Sequence, residues 1–244
     1  NPLARLLLMP DVSAVASFAA AWNEDDLGAV SPRVGPVSPA GKPAFLFEEL
    51  ELGLQSVIDP YARASIFIAF SPEEVAVEEA FLATTSLPWG LQVKAGRIFA
   101  PWGRVNAQHP HAWDFVDGPL ARGRVLAEEV LAGPGLDVAW LAPLPWFAEL
   151  HLAAQGTAPG EGDEERLTGV VRLAQFFPLG EETTLGVGLS AARRDEGPGA
   201  FRDLGGADVV LRWRPLAGRE ALNLQGELFT RRFRGVPDAG AAEW

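Results

Sequence analysis

Phe45–Phe70, FLFEELELGLQSVIDPYARASIFIAF, reads as two arms folded back on one another. In the first arm Leu50, Leu52 and Leu54 alternate with Glu49, Glu51, Gly53 and Gln55, the period of two that gives a strand one apolar and one polar face. Ile58-Asp59-Pro60-Tyr61 supplies a turn, because proline fixes φ and aspartate favours turn geometry. The second arm sets Ala62, Ala64, Ile66, Ile68 and Phe70 against Arg63 and Ser65. Each arm is about ten residues long; strands of soluble domains usually hold about five or six, whereas a bilayer-crossing strand needs about 9–11. The stretch therefore predicts a transmembrane β-hairpin.

Composition is consistent with that reading. Lys+Arg number 20 against 32 Asp+Glu, a net charge of −12 that disfavours nucleic acid as a partner. Hydrophobic residues make up 48% of the chain, yet no stretch of about 18 runs without polar interruption, so a membrane protein of this composition has to cross as a barrel. The absence of cysteine excludes a disulfide scaffold and thiolate metal sites. Eight Trp and fourteen Phe against one Tyr supply the rings for interface girdles. Asn1-Pro2 leads into a short apolar run without a basic n-region; the expectation is a processed precursor or a sequence that starts late.

The same alternation recurs along the chain. Leu6 to Trp22 contains a first strand, and residues 23–43 form a Pro/Gly/Asp/Ser-rich loop. Ser71-Pro72-Glu73-Glu74 looks like a helix start, but Val75 to Phe81 fits a strand about as well, and the neighbouring hairpins favour the strand. Further strands are expected at Leu91 to Gly96, Leu136 to Leu141, Trp146 to Gln155, Arg166 to Phe177, Thr183 to Ala192, Asp208 to Arg214 and Glu220 to Arg231, with a polar loop over 194–206. Turns near 59, 88, 144, 179 and 217 are short and most of the intervening connections are longer, the arrangement of an outer-membrane barrel. The expected fold is all-β: one antiparallel up-and-down transmembrane β-barrel domain over 1–244, incomplete, with about 11–12 strands, the last begun by Ala241 to Trp244 and the remainder truncated at the C-terminus.

The phrases NPLARLLLMPDVSAVASF, HPHAWDFVD, VRLAQFFPL and ADVVLRWRPL resemble those of a family of porin-like outer-membrane proteins of Gram-negative bacteria, distantly similar to phosphate-selective porins. Some members carry labels as metal-regulated or receptor-like proteins. The resemblance spans most of the chain and contains no catalytic motif. It implies a location in the cell outer membrane and a barrel fold, in a family whose members are longer at the C-terminus.

The polar faces carry Glu49, Glu51, Gln55, Arg63, Lys94, Glu149, His151, Arg172, Arg212, Arg214, Asn223, Gln225, Glu227 and Arg231, which would line water in a closed barrel and bias ion passage. The competing reading makes them cross-strand pairs that stiffen the wall. Residues 100–135 are too long for a simple connection. Trp113 and Phe115 need burial, and Ala121 to Ala132 predicts a short helix ending at Gly133. The expectation is a loop that bends into the lumen and sets its size limit with Arg104, His109, His111, Asp114, Asp117, Arg122 and Arg124; the alternative is a cap over the rim.

His109-Pro110-His111, with Asp114 and Asp117 nearby, offers imidazole and carboxylate to a divalent ion, but with no fourth ligand in view it reads as a hydrogen-bonded loop, and neither metal nor cofactor is expected. Gly186 to Ala191 matches a dinucleotide fingerprint without its strand–helix context, and the acidic loop Gly160 to Glu165 reads as solvated rather than as a calcium loop. No Ser/His/Asp arrangement or paired carboxylates stand out, so an enzyme is not expected. The leading function is a channel for passive diffusion of small hydrophilic solutes or ions, with the lipid bilayer as the other partner. The alternatives are a soluble all-β ligand-binding sandwich or barrel, and an outer-membrane receptor barrel lacking its plug.

Overall fold

The alternation over Phe45–Phe70 becomes β4 (Ala44–Asp59) and β5 (Ala62–Phe70), paired antiparallel with Leu52 opposite Ile68 and Leu54 opposite Ile66. The computed structural model describes residues 9–21, 29–31, 35–36, 44–114, 120–126, 130–156, 166–216 and 218–235. Before the hairpin come β1 (Asp11–Ala21) and a small pair, β2 (Ala29–Ser31) and β3 (Gly35–Pro36). After it come β6 (Val75–Thr84), β7 (Leu91–Phe99), β8 (Ala132–Leu141), β9 (Phe147–Gln155) and β10 (Thr168–Pro178). The series ends with β11 (Thr183–Asp195), β12 (Phe201–Trp213) and β13 (Leu222–Arg234). All but β2 and β3 form one up-and-down antiparallel sheet of 11 strands in sequence order. The sheet is open, with β1 and β13 at its edges.

Local chemistry explains where the elements depart from expectation. Ser71–Glu74 makes a turn instead of a helix: Glu74 N–H donates to Ser71 Oγ at 3.1 Å and Ser71 N–H to Glu74 O at 2.9 Å, the bonds of a cap spent on closing a hairpin. The polar loop over 194–206 shrinks to 196–200, because Arg193 pairs with Asp203 at 2.6 Å and Arg202 with Glu196 at 2.7 Å, extending β11 and β12. A helix, α1, covers Leu120–Leu126, and Gly133 lies in β8 opposite Ile98 instead of capping a helix. A Cβ there would stand 2.0 Å from Gly156 O, so the backbone approach requires glycine. Trp22, the acidic loop at 160–165 and the segment 241–244 lie outside the described residues.

The two faces of the sheet have the reverse of a soluble protein's polarity. Glu51, Ser65, Asp137, Gln155, Thr168, Ser190 and Asp208 are buried on one face. On the other, Ile66, Leu152, Leu222 and Leu224 are exposed alongside Phe18 at 73% and Leu228 at 68%, a band too extensive for a soluble monomer. Leu50, Leu52, Leu54, Ile68 and Leu150 share this outer face by register and are half-buried, and among the described residues no dry core collects them. Exposed rings mark both margins. Tyr61, Trp89 (82% exposed), Trp140, Trp146 and Trp213 lie at one margin of the sheet, and Phe18, Phe45, Phe47 and Phe201 at the other. Ten steps of about 3.3 Å separate Phe47 from Val57; at a strand tilt of about 40° they span about 25 Å, the height of a membrane barrel's apolar band.

Candidate functional site

Residues 100–114 leave β7 and cross the polar face of the sheet. The segment starts on a buried anchor: Trp102 is 0% exposed and stacks on Phe229 of β13, ring centres 4.8 Å apart. Asn106, also buried, donates from Nδ2 to Ala100 O and Leu131 O and accepts the N–H of Leu131, tying the two ends of the insertion together. Gly103, at φ +65°, donates its N–H to Ser190 Oγ at 3.0 Å, and the N–H groups of Arg104 and Val105 both point at Glu227 Oε1.

A few residues later the segment reaches the opposite end of the strand order. His109 Nδ1 lies 2.8 Å from Glu51 Oε2 on β4 and 2.8 Å from Glu78 Oε2 on β6, and its Nε2 lies 3.0 Å from Glu79 Oε2. His111 Nδ1 lies 3.3 Å from Glu51 Oε2. Five residues separate Arg104 from His109, a reach of about 17 Å when extended. Glu227 and Glu51 stand nine strand intervals apart in the sheet order, about 43 Å if the sheet were flat. The sheet therefore curls, with the polar face on its concave side and the segment bridging the hollow.

Adjacent glutamates turn to the same imidazole because β6 carries a bulge. Glu79 pairs with Phe67 and Val77 with Ile68, leaving Glu78 as the extra residue. Glu79 Oε1 also accepts the N–H of Phe99, and the His109 ring sits between Phe67 and Phe99 at 4.7 and 4.8 Å. Burial disfavours the His109 imidazolium, but the carboxylates of Glu51, Glu78 and Glu79 outweigh it and push the imidazole up to about 11.

The wall beyond this cluster is a chain of matched charges. His151 touches Asp137 at 3.1 Å and Glu149 at 3.0 Å, and Lys94 stands opposite Asp137 in register. Arg172 makes a two-point contact with Asp208, at 2.6 and 3.1 Å, and donates to the Ser190 Oγ that receives Gly103. Gln225 donates to Asp114 at 2.5 Å and Arg231 to the Arg124 carbonyl on α1. Glu49 is half-buried on the same face, while Gln55, Arg63, Arg212, Arg214 and Asn223 are exposed. Asp117 and the Arg122 side chain lie outside what is described. Glu78, Glu79, Asp137 and Asp208 are contributors that the sequence-based selection omitted. Asp137 and Asp208 sit on polar sides of alternating strands and were findable; the doubled Glu78-Glu79 breaks alternation and was not.

No protein-family model matches the chain. A protein of Aquifex aeolicus (strain VF5) titled "Uncharacterized protein" is 32% identical over 158 residues, which are 60% of this chain and 34% of that protein. The match therefore spans about a third of that relative. Among solved structures the chain is similar to two outer-membrane proteins of Vibrio cholerae. One is OmpTdeltaL8, a loop L8 deletion mutant of OmpT, with a TM-score of 0.45 and 10% identity, aligned over 92% of this chain and 83% of that one. The other is in-vitro folded OmpT, with a TM-score of 0.42 and 9% identity, aligned over 91% and 75%.

The chain builds the wall of a membrane-spanning β-barrel. The apolar outer band, the two ring margins and the polar concave face are the physical grounds, and they remove the soluble alternative. The expectation that the chain is not an enzyme is withdrawn. It relied on the lack of catalytic patterns in the linear sequence, whereas the fold gathers Glu51, Glu78, Glu79, His109 and His111 from three separate elements, a cluster that no linear pattern displays.

Proposed function

We propose that the protein is a passive channel for small hydrophilic solutes or ions, and that the crossing segment, residues 100–114, narrows it from within. The observation that carries this reading is the attachment of one short segment to both ends of the strand order, through Glu227 and Ser190 on one side and Glu51, Glu78 and Glu79 on the other. A segment so held occupies the water-filled hollow and divides its cross-section. Exposed Gln55, Arg63, Arg212, Arg214 and Asn223 supply a wetted polar surface beside it.

Charges of both signs line the hollow, and many are spent on one another: Arg172 on Asp208, His151 on Asp137 and Glu149. Such a wall supports weak ion preference with selection mainly by size. The resemblance to phosphate-selective porins adds phosphate to the solutes worth testing. Liposome swelling with sugars, amino acids and phosphate of increasing size tests the proposal. The expected result is passage with a sharp size limit; liposomes that swell no faster than protein-free ones would refute it.

A further inference from the structure

The geometry points to a divalent transition-metal site, zinc by preference, built from His109, His111, Glu51 and Glu78, which clips the crossing segment to β4 and β6. Glu51, Glu78 and His109 can each turn a ligand atom into one small volume, these atoms lying within 4.8 Å of one another. His111 Nδ1, 3.3 Å from the same Glu51 oxygen, supplies the fourth donor. Two ligands bound to one tetrahedral zinc, each at about 2.0–2.1 Å, stand about 3.3 Å from each other. The observed separations of 2.8 to 3.3 Å need to open by only about half an ångström.

Two further observations point to a ligand. Glu51 is only 4% exposed, and its Oε2 faces two ring nitrogens at once, His109 Nδ1 at 2.8 Å and the buried His111 Nδ1 at 3.3 Å, the latter making no hydrogen bond. A buried ring nitrogen left without a hydrogen bond beside a carboxylate oxygen is costly, and a cation between them would satisfy both. In addition, Glu79 sits on His109 Nε2 at 3.0 Å and is itself fixed by the N–H of Phe99. A carboxylate on the far nitrogen orients a metal-binding imidazole and raises its basicity, with Nδ1 turned to the ion. Two nitrogens with two carboxylate oxygens suit zinc or its first-row neighbours and not calcium or magnesium, which take oxygen.

The site stands apart from the channel reading, since it is defined by binding alone. Its test is calorimetric titration of ZnCl2 into the tag-free full chain folded in detergent. One Zn2+ per chain is expected. Glu51→Gln and His111→Ala should each weaken binding at least about tenfold, and Glu79→Gln by about 10–100-fold. His151→Ala, in the separate Asp137–Glu149 cluster, should leave binding within about twofold. His111 is the most exposed of these ligands, so if Glu51→Gln does not fold, as judged by far-ultraviolet circular dichroism, His111→Ala decides. No saturable binding, binding indifferent to His111→Ala, or binding lost with His151→Ala would overturn the assignment.

Discussion

Glu227 Oε1 accepts the backbone N–H of Arg104 at 2.5 Å, a contact between residues 123 positions apart. Because Val105 N–H points at the same oxygen, one carboxylate on β13 closes the turn that launches the crossing segment. Removing it in Glu227→Ala leaves two donors without an acceptor and costs about 1.5–3 kcal/mol, the range for hydrogen bonds to a charged group. The segment should loosen, so single-channel recordings should show larger and noisier conductance with the fold intact.

The outward direction of β13's leucines makes a sharp pairwise prediction. Leu224 is exposed on the apolar face and Gln225 on the polar face. Leu224→Arg should destabilise the protein in lipid by about 2–4 kcal/mol, the cost of a cation near the bilayer midplane. Gln225→Arg should cost far less. Urea unfolding in liposomes compares the two, and equal losses would argue against the assigned faces.

Arg172 and Asp208 are nearly buried and joined at two points. Arg172→Ala strands the Asp208 charge, with an expected loss of about 3–5 kcal/mol, whereas replacing both by leucine should return most of it. The same denaturation experiment reads both variants.

Exposed charges should tune passage where buried pairs do not. Arg212 and Arg214 are exposed at the short-turn margin, whereas Glu49 and Glu51 are half-buried and buried. Neutralising the arginines together should move reversal potentials toward cations, whereas neutralising Glu49 and Glu51 together should move them much less, and toward anions. Unchanged potentials in both would make these residues structural.

The strands were legible because the bilayer enforces the period of two that Leu50, Leu52 and Leu54 display. Their ends were less so: Arg193, Arg202 and Asp203 look like loop residues in sequence, and cross-strand pairing keeps them in β11 and β12. The acid partners of His109 were illegible for another reason. Glu78 turns inward only because β6 is bulged, and Glu51 meets His109 only because the sheet curls, and alternation records neither. Gly133 suggested a helix cap by its composition, while its use is a close backbone crossing that only the β8–β9 pairing creates.

Deleting residues 104–124 and recording single channels in planar bilayers tests most directly whether the crossing segment narrows a pore. The deletion removes the contacts to Glu51, Glu78, Glu79 and Glu227 but leaves every strand of the sheet in place. Conductance severalfold above that of the intact protein, with larger sugars admitted in the swelling assay, is the predicted result. A folded deletion variant that conducts no better than the intact chain would contradict it.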